Sequence, residues 1–239
     1  MVRLRSSTIF GRGMDSVQDP TPPEGKLPAG RHGLPAEVVA ESQRQRMLSA
    51  AIEAVADSGY QETRVSDIIA RAGVSRKTFY ELFDDKEDCF LAAYDQELSA
   101  LVEVTGEAFA AGGSSDWADQ VTSGVQALLA WLSANPAAAQ VCLIDVMGAG
   151  KRATAKRDTA LRNFTYFVDA GRSETEDEVP GRVALGMIGA IVELIGAELT
   201  YGSAANLGGL APDLVYLVTL PFLGPQAALE HRDKTKAKL

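Results

Sequence analysis

The chain has 239 residues, 46% of them hydrophobic, which suffices for one large domain or two modest ones with a real core. A formal net charge of −9 argues against a uniformly nucleic-acid-coating surface, yet the excess is local: residues 1–86 hold 12 Lys and Arg against 12 Asp and Glu, while residues 87–239 hold 11 against 20. Two cysteines, Cys89 and Cys142, each inside an apolar helical pattern, speak against a disulfide framework and fit a reducing cytoplasm.

Residues 1–36 mix Pro, Gly, Arg and Ser without periodicity and predict a disordered extension. The start, MVRLRSSTIFGRGMD, lacks the apolar stretch of a secretory signal, and Met14 offers an alternative start. Lys26, Arg31 and His32 lead into the first helix as a basic arm that could lie along nucleic acid. From Glu37 onward the helical period dominates. Helices are expected over 38–58, 65–72, 76–82, 85–110, 116–133, 136–148, 152–171, 179–203 and 211–229, with no convincing strand, so the fold class is all-α. The breaks carry turn chemistry: Ser58-Gly59, Gly73, the AGGSSD loop at 111–116, Asn135-Pro136, Gly148 to Gly150, and SETEDEVPG at 173–181.

Within VSDIIARAGVSRKTFYELFDDKEDCF, Thr63 just upstream can cap a short helix that turns Ile68, Ile69 and Ala72 inward, and Gly73 supplies the positive φ that ends it. Ser75 then caps a second helix. There Phe79 and Phe83 lie four apart and anchor one face, leaving Lys77, Thr78 and Glu81 outward with Arg76 and Tyr80 at the flank. A short, rigidly held helix offering polar groups outward is the device a helix-turn-helix uses to read the major groove. Lys86, opening the following helix, could reach a phosphate at the rim. An ordinary three-helix core with a solvated polar face has the same local pattern.

The larger stretch GYQETRVSDIIARAGVSRKTFYELFDDKEDCF resembles the DNA-binding domain of the tetracycline-repressor (TetR) family. The resemblance rests on Gly59, Thr63, Ile68 and Ile69, Ala72 to Ser75, Thr78 to Tyr80, Phe83, and Lys86 with Glu87, within residues 44–101. It implies a homodimer with three N-terminal helices on DNA and a larger helical domain that holds a ligand and the dimer interface. It further implies phosphate contacts from Thr63, Ser66, Tyr80 and Lys86, and base-edge or nearby contacts from Arg76, Lys77 and Thr78. Leu82 departs from the family's His or Tyr, and Glu81 is acidic on the exposed face, where it could accept from a cytosine amino group.

The C-terminal helices offer Trp117, Trp131, Cys142, Met147, Phe164 and Phe167. Core packing accounts for any one of them, and the resemblance implies that some line a pocket for a small, largely apolar inducer. In the helix from Pro180, Gly186, Gly189, Glu193, Gly196 and Thr200 form a stripe that lets another helix approach closely, so this helix and DLVYLVTLPFL (213–223) are candidates for the dimer interface, an intrachain contact being the alternative. Pro221 should kink or end its helix. The long apolar run from Val183 contains Glu193 and Glu198, and two mid-span acids would each cost about 2.5–3.5 kcal/mol on insertion, so a buried helix is expected and no membrane. GAGKRAT at 148–154 lacks the spacing and the Ser or Thr of a phosphate loop. His32 and His231, the only histidines, lie too far out to build a triad or metal site, so no metal, cofactor or enzymatic activity is expected.

The domain division expected is 1–36 extension, 37–86 DNA-binding, and 87–239 ligand-binding and dimerisation. The expected function is a homodimeric, ligand-responsive transcriptional repressor on a near-palindromic double-stranded DNA operator. Rival classes are an enzyme or carrier using the C-terminal cavity, and a helical protein-interaction module.

Overall fold

The structure is a computed structural model that describes residues 35–111 and 116–239. The basic arm at Lys26, Arg31 and His32, and the loop residues 112–115, lie outside the described residues. Among the described residues there is no strand. The helices are α1 (Ala36–Ser58), α2 (Val65–Ala72), α3 (Arg76–Leu82), α4 (Lys86–Ala111), α5 (Trp117–Ala134), α6 (Pro136–Leu143), α7 (Lys151–Asp169), α8 (Val183–Tyr201) and α9 (Ala211–Lys236). Short 3₁₀ turns occupy Asp145–Gly148, Ala170–Glu174 and Ala204–Leu210.

Local chemistry explains the boundaries. Gly73 takes the left-handed conformation (φ 63°, ψ 42°) that ends α2. The Ser75 hydroxyl caps α3 by accepting from the Thr78 amide at 3.0 Å. Asp116 caps α5 by accepting from the Ala118 amide at 2.9 Å, and Pro136 opens α6 where a missing N–H costs nothing. The expected helix over 136–148 is shorter: α6 stops at Leu143 and a tighter turn follows. The break expected at Pro221 falls instead at Gly224 (φ 77°, ψ 170°). Pro225 bars the α region to the residue before it, and only glycine adopts that positive φ without strain.

Two apolar cores result. The first joins α1, α2 and α3 to the first half of α4 and to α6, around Met47, Leu48, Ile68, Phe79, Phe90 and Tyr94. It therefore extends past residue 86, because the first half of α4, which opens at Lys86, packs into it. The second joins α5, α7, α8 and α9 around Trp117, Leu129, Ile195, Leu207 and Leu214, and half-buried Trp131 packs against both. Gly171 belongs to this second core by necessity, since a Cβ there would stand 2.5 Å from the Trp117 ring.

The α8 segment is buried on one face only, which corrects the expectation of a buried helix. Ile188, Ile191 and Ile195 pack inward, whereas Leu185, Leu194 and Tyr201 are exposed, Tyr201 at 90%. Val183–Tyr201 and Ala204–Lys236 are long and apolar enough to cross a membrane by length and composition alone. Here each contributes its inward face to the second core, and the outward face of α8 carries Glu193 beside its glycines.

Candidate nucleic-acid interface and ligand cavity

The α2-turn-α3 unit is fixed from beneath. Phe79 is fully buried and Phe83 nearly so, their rings 5.7 Å apart, and burial of one such side chain is worth about 1.5–3 kcal/mol. Leu82 packs on the same core, so the position that departs from the family pattern serves packing. Arg46 donates to the Ala72 carbonyl at the end of α2, and Arg71 pairs with Asp57 at 2.6 Å. These two cations tie α2 to α1.

What remains outward is a small set. Arg76 and Lys77 are exposed in the first turn of α3, and Lys77 makes an i,i+4 pair with Glu81 at 3.5 Å. Such an exposed pair is weak and yields readily to a phosphate. It also accounts for Glu81 without a cytosine. Tyr80 is 52% exposed, its ring edge-on to Phe79. Thr78 is half-exposed, with its hydroxyl 2.9 Å from that of Ser75. Ser66 is exposed near the start of α2. Arg64, at the N-cap of α2, is exposed as well and was not singled out from the sequence. Its backbone N–H donates to Asp67 at 2.8 Å while its side chain stays outward.

One expected contact is corrected, and a second residue, Lys86, is engaged within the chain. Thr63 is buried at 2% exposure, and its hydroxyl donates to the Ala54 and Gly59 carbonyls at 3.2 and 2.8 Å, so it holds the α1–α2 loop and faces no solvent. Nor does it cap α2, a place Arg64 takes. The Lys86 ammonium donates to the Tyr60 and Thr63 carbonyls, both at 2.8 Å, and lies 4.2 Å above the Tyr60 ring. Partial burial holds its pKa below the usual lysine value. Lys86 is thus a clasp on the loop that positions α2, and its spare N–H is all that could reach a phosphate.

A second feature lies in the C-terminal helices, an apolar cavity of about 100 Å³. Its longest wall is a stripe of α4: Tyr94, Leu98, Leu101, Thr105 and Phe109. At 1.5 Å per residue this stripe runs roughly 22 Å along α4. Of the residues expected to line a pocket, Cys142, Phe164 and Phe167 do. Met147 does not. The helix that would have carried it inward ends at Leu143, and Met147 sits 56% exposed in the following turn. Trp131 packs between the two cores away from the cavity, and Trp117 donates its indole N–H to the Phe167 carbonyl at 3.0 Å, behind the wall. Burial pushes the Cys89 thiol up to about 12 and Cys142 higher still, so both are protonated, unreactive packing groups.

Three contacts join the cavity side to the interface side. Cys142 lines the cavity and also belongs to the first core. The Gln61 side-chain amide donates to the Gly148 carbonyl at 2.6 Å, tying the α1–α2 loop to the turn after α6. Arg152 at the start of α7 pairs with Glu87 at 3.2 Å, one residue beyond the Lys86 clasp.

The outward face of α8 is the third feature. Gly186, Gly189 and Gly196 have nothing within 4 Å of where a Cβ would stand, and Glu193 is exposed beside them.

Residues 47–93 match the family described as bacterial regulatory proteins, tetR family. The fatty acid metabolism regulator protein of Bacillus subtilis is 33% identical over 58 residues, covering 24% of this chain and 30% of that one. The HTH-type transcriptional activator FasR of Mycolicibacterium smegmatis is 32% identical over 77 residues, covering 32% of this chain and 35% of that one. These matches span about a third of each relative's length. The crystal structure of the regulator FadR from Bacillus subtilis in complex with stearoyl-CoA superimposes with a TM-score of 0.64 at 19% identity, over 75% of this chain and 98% of that one, which is a likeness of fold.

Proposed function

We propose that this chain, whose residues 47–93 match the tetR family of bacterial regulatory proteins, is a homodimeric transcriptional regulator whose hold on DNA is set by a long-chain acyl ligand. The observation that carries the reading is the exposed Arg76–Lys77 turn on a helix whose opposite face is locked by Phe79. A helix so anchored presents a fixed set of donors to a groove, which a merely solvated face does not require. Arg64, Ser66, Thr78 and Tyr80 surround that turn and are the proposed phosphate and sugar contacts.

Two apposed copies need a self-complementary face. The outward side of α8, with its glycines and exposed Leu185 and Leu194, supplies one, and a second copy there would cover the apolar surface that the fold leaves open. Two α3 helices related by a two-fold axis would then read a near-palindromic operator. The proposed division of labour is 37–86 for DNA and 87–239 for ligand and dimer, with the first half of α4 shared between them.

The ligand reading rests on the apolar lining of the cavity along four turns of α4, together with the stearoyl-CoA bound by the fold's relative, a long chain having to widen the space as it enters. Filling the cavity presses on Cys142 and α6. Through Gln61–Gly148 and Arg152–Glu87 that displacement reaches the loop that seats α2. Release from the operator on ligand binding, as in a repressor, is the expected sense.

Selection of fragments of the source genome by the purified protein, followed by gel shift with and without stearoyl-CoA, tests the whole reading. A shifted fragment with two-fold symmetry, freed by the acyl ligand, supports it. Binding that tightens with ligand would reverse the expected sense of the response, and no sequence preference at all would remove the regulatory role.

A further inference from the structure

The cavity leaves the polar end of an amphiphilic ligand without a partner. Within its lining only Tyr94, Thr105, Cys142 and Arg157 carry polar side-chain atoms. The Thr105 hydroxyl already donates to the Leu101 carbonyl at 2.7 Å, and the one cation, Arg157, with Asp158 at 3.7 Å, cannot alone replace the hydration of a head that carries several charges. A charged or amide-rich head sealed among these side chains would lose its hydration without recovering hydrogen bonds. The head must therefore stay outside.

One wall of the cavity is thin. Leu98 on α4 and Ala160 on α7 line the apolar cavity on one side, and on the other they line a solvent-open groove of about 690 Å³ between the same two helices. The groove has the chemistry the cavity lacks. Ser99, Thr159 and Asn163 offer neutral donors and acceptors, and Lys156 spans the groove to clasp Asp95 at 2.6 Å. Lys156 and Arg152 lie four apart on one face of α7, so positive charge gathers at that helix's first two turns, while Glu103 lines the opposite end of the groove.

We propose that the α4–α7 groove is the headgroup site of the acyl ligand, that the chain enters between Leu98 and Ala160, and that Lys156 takes a phosphate of a phosphate-bearing thioester carrier. This rests on the acyl reading above and deepens it by naming the head. The neutral amide arm of such a carrier lies against Ser99, Thr159 and Asn163. Its phosphates point toward Lys156 and Arg152, because Glu103 repels them from the other end. The Asp95–Lys156 pair strands no charge when it opens: the phosphate replaces the Asp95 carboxylate at the ammonium, and Asp95 is left in water, half-exposed already. A free carboxylate brings one charge to Lys156, as Asp95 already does, whereas the carrier's phosphates bring several, so the carboxylate gains less from that ammonium.

Calorimetric titration of the full-length protein with stearoyl-CoA, stearate and coenzyme A alone distinguishes the heads. Lys156→Gln should weaken stearoyl-CoA about tenfold and stearate much less, and Asp95→Asn, which frees the ammonium, should tighten stearoyl-CoA by a few-fold. Coenzyme A alone should bind far more weakly than stearoyl-CoA, since the chain supplies the buried area. If stearoyl-CoA binds but Lys156→Gln affects it no more than stearate, the groove is not the head site, and the acyl reading stands without it. If neither acyl compound binds the unmodified protein, the acyl reading falls and this site with it.

Discussion

Lys86→Met separates a structural clasp from a phosphate contact. The ammonium makes two hydrogen bonds to backbone carbonyls at 2.8 Å and one ring contact at 4.2 Å. Charge-assisted hydrogen bonds are worth about 1.5–3 kcal/mol each when well buried, and a cation over a ring about 0.5–1 at an exposed site. Lys86 is only partly buried, so solvent screening takes back much of this, and methionine keeps the stem's packing on Tyr60. A net loss of about 1–3 kcal/mol is expected, which in a chain of this size lowers Tm by roughly 2–12 °C. Thermal unfolding by circular dichroism measures the first arm. Operator affinity against salt, taken well below the melt, measures the second: removing one neutralised phosphate per subunit flattens the slope by roughly 0.9 for each subunit. The clasp predicts a lower Tm and an unchanged slope. An unchanged Tm with a flattened slope would refute the reasoning and return Lys86 to the DNA surface.

Arg76→Ala should do the reverse of Lys86→Met, leaving Tm unchanged while costing about 1–3 kcal/mol of operator binding if the guanidinium reads a base edge bidentately; gel-shift affinity equal to the parent's would remove α3's first turn from the interface. Gly189→Arg leaves room within the protomer, since nothing stands within 4 Å of its Cβ position, so the variant should fold normally yet elute and scatter as a monomer. An unaltered dimer would move the interface elsewhere. Asp145 has one buried oxygen without a partner, and burial raises its pKa. A carboxyl whose folded pKa is raised contributes stability that is present at low pH and lost as pH rises through the folded value, so Asp145→Asn should raise Tm at neutral pH, with the gain shrinking as pH falls through the carboxylate range. A gain that persists below that range would have another cause.

The reading of the helix-turn-helix from sequence succeeded where local chemistry decides the structure. Gly73 ends α2, Ser75 caps α3, and the spacing of Phe79 and Phe83 sets which face is buried, each within a few residues of its partner. Spacing did not reveal the partners of Thr63 and Lys86, which lie across a turn or more than 20 residues away. A threonine beside a helix start and a lysine on a helix rim look alike in sequence whether they face a phosphate or a carbonyl. The cavity divides in the same way. Continuing the period of α6 would have put Met147 one turn beyond Leu143, which does line the cavity, but the helix stops there and Met147 turns outward. The α4 stripe from Tyr94 to Phe109 repeats at helical spacing, yet nothing in spacing tells a wall with space behind it from a packed core.

That stripe also shows why the proposed switch needs no long relay. Lys86 opens α4, and Tyr94, the first cavity residue on it, follows eight residues later, about 12 Å along the same unbroken helix. Tyr94 is fully buried and stacks on Phe90, which meets the Tyr60 ring edge-on, and Tyr60 is the residue whose carbonyl Lys86 holds. A ligand that shifts Tyr94 therefore acts on both ends of the clasp at once, on the lysine through the helix axis and on its acceptor through the ring stack. In Lys86→Met the ring path survives and the hydrogen-bonded path does not, so the variant should still bind the acyl ligand but release DNA less completely when it does. Titrating stearoyl-CoA into the variant's operator complex in a gel shift checks this, and full release at the parent's ligand concentration would show that the ring path suffices alone.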